Sequence, residues 1–198
     1  LLLNDRYPSA SYLNYYPLWK ANYMWDETAD RIKLNNSDET TYYASYASIS
    51  SCNLIIEHAP SATNTTDNER KVLIAQAQIL RAMNYFTLVN FYANTYDALT
   101  ATTKFAVPII SSADINAPST QVTIKELYDY ILKEISESIS NLPEKSTTIL
   151  HPSLATAYAF YARVYLQMSD YTNALKYAEE ALKINNKLYD WVAYYENK

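Results

Sequence analysis

The chain has 198 residues, 49% apolar and 19% charged, with a formal net charge of −5 and a pI near 5.0. That length fits one domain with a real core. The acidic balance, with no Lys/Arg cluster, leaves no phosphate footprint, so no nucleic-acid partner is expected.

Cys52 is the single cysteine, so no internal disulfide is available; its place on an apolar helical spacing marks a buried structural thiol. Tyrosine occurs 21 times and glycine not at all, against an average glycine usage of about 7%. Asn, Asp, Ser and Pro must therefore make the turns, and motifs that need glycine cannot be read. The N-terminal "LLLNDRYPSA" lacks the basic region and long apolar run of an intact signal peptide. No unbroken apolar run reaches the roughly 18 residues of a bilayer span.

Residues 1–37 hold Pro8, Pro17 and dense aromatics, and are expected to form an irregular lead-in of short helical or extended pieces. From Asp38 a helical period sets in. Tyr42, Tyr46, Ile49, Cys52, Asn53 and Ile56 share one stripe and predict a helix over 38–58. "TDNE", Thr66 to Glu69, is a capping box that opens a helix running to about Ala93. Ile79, Met83, Phe86, Asn90 and Ala93 form one face of it; Ala77, Leu80, Asn84, Leu88 and Phe91 form the opposite face. A helix apolar on both faces is expected to lie between neighbours.

Residues 93–120 form a long connection without helical period, a length that is usually functional or disordered. "FAVPII" within it is expected to pack as an extended piece. "TIKE", Thr123 to Glu126, is a second capping box. Its helix, 122–142, carries the stripe Ile124, Leu127, Tyr128, Ile131, Leu132, Ile135, Ile139 and Leu142, and Pro143 ends it. Glu126, Asp129, Glu134 and Glu137 read as a solvated face, as do Glu179 and Glu180 further on. "HPSLATAYAFYARVYLQM" and "DYTNALKYAEEALKIN" predict a helix pair with Pro152 in the first turn and "MSD" as a tight turn. Residues 187–198 are an aromatic, polar tail. No strand pattern competes over any length. The reading is all-α: stacked antiparallel helix pairs over 38–186, joined by long irregular connections.

Tyr158, Tyr161, Ala162, Tyr165, Ala174, Ala178 and Ala181 resemble a tetratricopeptide repeat. Small residues stand where the two helices touch, and aromatics fill the gaps around them. The repeat's usual turn glycine falls at Ser169 and its closing proline at Asn186. In order along the chain, "YASYASISSCNLIIE", "LRAMNYFTLVNFYANTYD", "FAVPII" (with Ala106 where glycine is common) and the helices after "TIKE" resemble the SusD/RagB family of outer-membrane nutrient-binding lipoproteins of Bacteroidota. The resemblance covers roughly residues 38–186. It implies that residues 1–198 are an N-terminal helical domain, with the family's C-terminal half absent.

Within that frame Arg81 has two readings: a ligand clamp, or a structural anchor that pairs with a carboxylate or carbonyls while its stem packs on Tyr85. The anchor reading is preferred, with Asn53 and Tyr85 beside it. Asn53 and Asn84 are expected to hydrogen-bond helix ends or loop backbone. His58 and His151 lie far apart in turns without metal-ligand spacing, so neither a metal nor a cofactor is expected. Trp19, Tyr23 and Trp25 beside Asp26 and Glu27 have the chemistry of a sugar platform: rings stack on pyranose faces and carboxylates accept from hydroxyls. Tyr96 in "NTYD" and Trp191 in "LYDWVAYY" are similar. The candidate ligand contacts are therefore Trp25, Asp26, Tyr96 and Trp191, each with core or helix packing as the alternative.

The resemblance implies a lipid-anchored protein of the outer membrane and cell surface, its signal peptide and lipidated cysteine not in this chain. It implies binding of an oligosaccharide or other nutrient with a SusC-like TonB-dependent transporter as partner, and no enzyme activity. A tetratricopeptide scaffold that binds a peptide in its concave groove is the alternative. An all-α enzyme needs a convergent titratable cluster, and none is apparent.

Overall fold

The computed structural model describes residues 9–34, 40–114, 116–146, 148–188 and 190–196. They fall into two units, 1–40 and 41–198. Asp38 and the start of the helix expected there lie outside the described residues.

The first unit contains α1 (Ala10–Tyr15), α2 (Pro17–Tyr23) and α3 (Arg31–Leu34). The Ser9 hydroxyl caps α1 by accepting from the Tyr12 amide, and Pro17 opens α2, where its missing N–H costs nothing. Leu13 and Ala21 are buried. The rings of Tyr12, Tyr15, Tyr16 and Trp19 gather at centroid separations between 4.8 and 5.9 Å.

The second unit opens with α4 (Thr40–His58) and α5 (Asp67–Tyr92). Both arms of the Thr66/Glu69 capping box form: Thr66 Oγ1 accepts from the Glu69 amide at 3.2 Å, and Glu69 Oε2 accepts from the Thr66 amide at 2.8 Å. Length and apolarity give α5 the dimensions of a membrane-crossing helix. Its buried residues, including Ile79, Arg81, Tyr85 and Leu88, instead belong to the core of this unit. The expectation that both faces are covered is corrected in part. Ala77 and Leu88 of the second face are buried, but Leu73, Leu80 and Phe91 are 45%, 39% and 70% exposed, so a strip of α5 faces solvent while α4, α6, α7 and the extended segment cover the rest.

The extended piece expected at "FAVPII" is present as a strand, and its pairing with a second short strand is what the sequence reading did not contain. β1 (Phe105–Pro108) and β2 (Gln121–Thr123) form an antiparallel ribbon whose register slips between Phe105 and Pro108. Four and three residues are too short to display alternation in sequence. The ribbon runs directly into α6 (Ile124–Ser138), because Thr123 ends β2 and also caps the helix. A 3-10 turn, Ile139–Asn141, and Pro143 then end the element.

Helices α7 (Leu154–Gln167) and α8 (Tyr171–Ile184) form a close hairpin. Pro152 stands before the N-cap and not in the first turn, since the Ser153 hydroxyl takes the capping position by accepting from the Thr156 amide. Ser169, where the repeat carries glycine, has φ 61°, the left-handed conformation that glycine adopts at least cost. Tyr177 lies against Tyr158, Tyr161 and Tyr165 at 6.1, 4.4 and 5.6 Å with near-parallel planes. This stack fills the seam that alanines at 174 and 181 leave open. A last helix, α9 (Trp191–Glu196), lies in the tail.

The core of the second unit runs through Ile79, Leu88, Leu127, Ile131, Ile135 and Val164, all essentially inaccessible. Each such side chain contributes about 1.5–3 kcal/mol by burial.

Candidate functional site

The 93–120 connection is held by side chains from α4 and α5. Tyr46 Oη donates to the Pro108 carbonyl at 2.8 Å. Tyr85 Oη donates to the Ile110 carbonyl at 3.0 Å and accepts from the Ile110 amide at 2.8 Å. Asn53 Nδ2 donates to the carbonyls of Ile110 and Ser112 at 2.9 and 3.0 Å. Glu57 Oε1 accepts from the Ala113 amide at 2.8 Å. Beyond β1, residues 109–113 have no ladder, and the helices beneath satisfy backbone groups there.

Behind this contact lies a buried charge pair. Arg81 donates through Nη1 to Asn53 Oδ1 at 2.7 Å and through Nε to Glu134 Oε2 at 2.8 Å, with Nη2 2.7 Å from the same oxygen. Asn53, Arg81 and Glu134 are 0%, 5% and 3% exposed. Burial pushes the Glu134 carboxyl above its ordinary range, while the Arg81 guanidinium pulls it back. Burial also raises the Tyr85 hydroxyl to about 12, so it stays protonated and able to donate. The Cys52 thiol is raised by burial too. The assignment of Glu134 to a solvated face is therefore corrected. Glu134 stands on the stripe Leu127, Ile131, Glu134, Ser138, all buried, and that spacing was visible in the sequence.

Beside the pinned segment is a cleft of about 350 Å³ lined by Tyr46, Ile49, Ser50, Ile110, Ser112 and Asp114, among others. In the first unit a cleft of about 480 Å³ is lined by Pro17, Lys20, Met24 and Asp26 with their neighbours. Asp26 accepts from the Thr28 hydroxyl at 2.7 Å and from its amide at 2.9 Å, bonds that hold its carboxyl below the usual carboxylate range. Trp25, next to it, is 80% exposed and holds φ 52°, a strained conformation for a bulky residue.

Tyr96 and Trp191 are not brought together. Tyr96 is half-buried with its ring 4.9 Å from that of Tyr128, whereas Trp191 is exposed and stacks on Tyr195 at 6.3 Å. Asn84 donates to the Leu80 carbonyl of its own helix at 2.8 Å. Among the described residues no three His, Cys, Asp or Glu side chains gather as a metal site.

Helical hairpins stacked in order, with a connection pinned across them, define the class: an all-α scaffold of tetratricopeptide-like pairs. The chain belongs to the SusD-like family, since residues 4–166 match the family described as starch-binding and associating with the outer membrane. A SusD-like protein P2 of Formosa agariphila is 32% identical over 143 residues, which cover 72% of this chain and 26% of that protein. A SusD superfamily protein of Bacteroides thetaiotaomicron has the same fold with a TM-score of 0.69 and 23% identity, over 77% of this chain and 34% of the other. Surface glycan-binding protein A of the same organism, solved in complex with laminarihexaose, matches with a TM-score of 0.56 and 27% identity, over 71% of this chain and 28% of the other. The chain thus spans about a quarter to a third of the length of these relatives.

Proposed function

We propose that the protein binds a nutrient glycan, an oligosaccharide, at the cell surface and works with a SusC-like TonB-dependent transporter in the outer membrane. Residues 1–198 supply the N-terminal helical part of that machine. The observation that carries this reading is the family match over residues 4–166, together with a relative solved around laminarihexaose. Lipid anchoring at the surface follows from the same reading. Binding rests on ring stacking and hydrogen bonds, and no bond is made or broken.

Trp25 and Asp26 are the leading ligand contacts. An exposed indole offers a face to the axial C–H bonds of a sugar, and the adjacent carboxylate accepts from its hydroxyls. Trp191 is a second exposed ring, and Tyr96 a third, half-covered one. Arg81, Asn53 and Tyr85 act as anchors beneath the connection.

The test is a thermal-shift and calorimetric panel of neutral oligosaccharides, with laminarihexaose first. A ligand at a hundred times its Kd raises folded-state stability by about 2.7 kcal/mol. Trp25→Ala should abolish that rise. Binding that survives Trp25→Ala rejects this residue assignment. A panel in which no oligosaccharide binds rejects the glycan reading.

A further inference from the structure

We infer that the groove between α5 and α7 binds a carboxylated sugar, the uronic-acid unit of an oligosaccharide; this rests on the glycan-binding reading and adds a second, charge-selective site. The groove has a volume of about 520 Å³ and is lined by Phe86, Thr87, Asn90, Phe160, Arg163 and Gln167, with Phe91 at its edge. That volume lies within the roughly 300–1,000 Å³ of small-ligand sites.

Its floor is aromatic. Phe86 and Phe160 meet edge to face at 5.5 Å, and Phe91 leaves 70% of its surface open. Its rim carries a cation: the Arg163 guanidinium lies 5.6 Å from the centre of the Phe86 ring and makes no ion pair among the described residues. Arg163 stands at the exposed rim of the groove, whereas Arg81 is buried and fully engaged by Glu134 and Asn53.

Two carboxamides complete the rim. Asn90 spends its Nδ2 on the Phe86 carbonyl at 2.6 Å, which leaves Oδ1 to accept, and the Gln167 amide has no partner among the described residues.

A uronic acid matches this arrangement part by part. Its axial C–H bonds form an apolar face for the phenylalanines, and its carboxylate projects from the edge of the ring, where a guanidinium grips two oxygens at once. Its hydroxyls pair with the amides. A neutral sugar leaves Arg163 without a counter-charge, and an apolar peptide side chain leaves both amides idle.

The test is calorimetric titration of the protein with oligogalacturonate and oligoglucuronate, each against its uncharged methyl ester of equal length. The acid of at least one pair should bind about tenfold or more tightly than its ester, as a charge-assisted pair of hydrogen bonds requires. Arg163→Gln should lower acid binding to the ester's level and leave the ester unchanged. Arg163→Lys should restore only part, because an ammonium lacks the fork. Phe91→Ala, at an exposed position, should weaken both forms. Equal affinity for acid and ester in both pairs, or indifference to Arg163→Gln, overturns the inference while leaving the glycan reading intact if neutral sugars still bind through Trp25. Arg163-dependent binding of an acidic peptide, without uronate binding, overturns it in favour of a peptide groove. Absence of any sugar binding removes both readings together.

Discussion

Arg81 on α5 and Asn53 on α4, 28 positions apart, meet with Nη1 donating to Oδ1 at 2.7 Å. Asn53 turns its nitrogen to Ile110 and Ser112, so one buried amide joins the charge pair to the backbone of the long connection. The connection therefore rests on a satisfied ion pair as much as on apolar packing.

Arg81→Met should destabilise the protein by about 3–5 kcal/mol, because Glu134 is left charged and unpaired in the interior. Glu134→Leu should cost a similar amount by stranding the guanidinium. The double variant should recover most of the loss, since apolar groups of similar volume need no counter-charge. Urea denaturation of the four proteins of this cycle checks it; additive losses would mean that the pair is not coupled.

Tyr85→Phe removes one hydroxyl that serves both the amide and the carbonyl of Ile110. The expected loss is about 1–3 kcal/mol, since the Ile110 amide keeps no other partner. Hydrogen exchange should speed up at Ile110, with core amides of α6 little affected. Uniform acceleration across α6 would point to global destabilisation instead.

Trp25 holds φ 52° where a residue without Cβ sits at no steric cost. Trp25→Gly should therefore raise stability by up to about 1 kcal/mol while it removes the exposed ring. A higher Tm combined with loss of the sugar-induced shift is the expected pair of results. A lower Tm would show that the indole contributes packing that outweighs its backbone strain.

The capping boxes predict an acid-sensitive stability. Backbone amides at Thr66 and Thr123 hold the carboxyls of Glu69 and Glu126 below their ordinary value. A folded pKa below the unfolded value of about 4.3 gives stability that is complete above that value and is lost as pH falls through the folded one. Denaturation midpoints between pH 6 and pH 3 should fall less steeply in the Glu69→Gln/Glu126→Gln variant than in the parent. At pH 7, Thr66→Ala and Thr123→Ala should each cost about 1 kcal/mol.

Much of the fold was legible because its signals are local. Thr66 with Glu69, and Thr123 with Glu126, mark two helix starts within four residues, and the caps form as written. Ser169 was readable as a turn by its place in the repeat, and its positive φ agrees. Less legible was Glu134, because a carboxylate on a charged helix reads as solvated unless a distant cation is placed opposite it. Its partner Arg81 stands 53 positions away. The sugar candidates were chosen by residue type, and type alone did not reveal that Tyr96 packs on Tyr128 while Trp25 stands in the open.

By itself the sequence determined the long helices between residues 40 and 184, the two capping boxes, their order and the family, since periodicity and capping act over three or four residues. Only the tertiary structure decided which side of α5 faces solvent, that β1 and β2 pair, that Glu134 is interior, and that Arg163 overlooks an aromatic groove. Those outcomes depend on which helices cover one another, and burial and charge pairing follow from neighbours in space, not from neighbours along the chain.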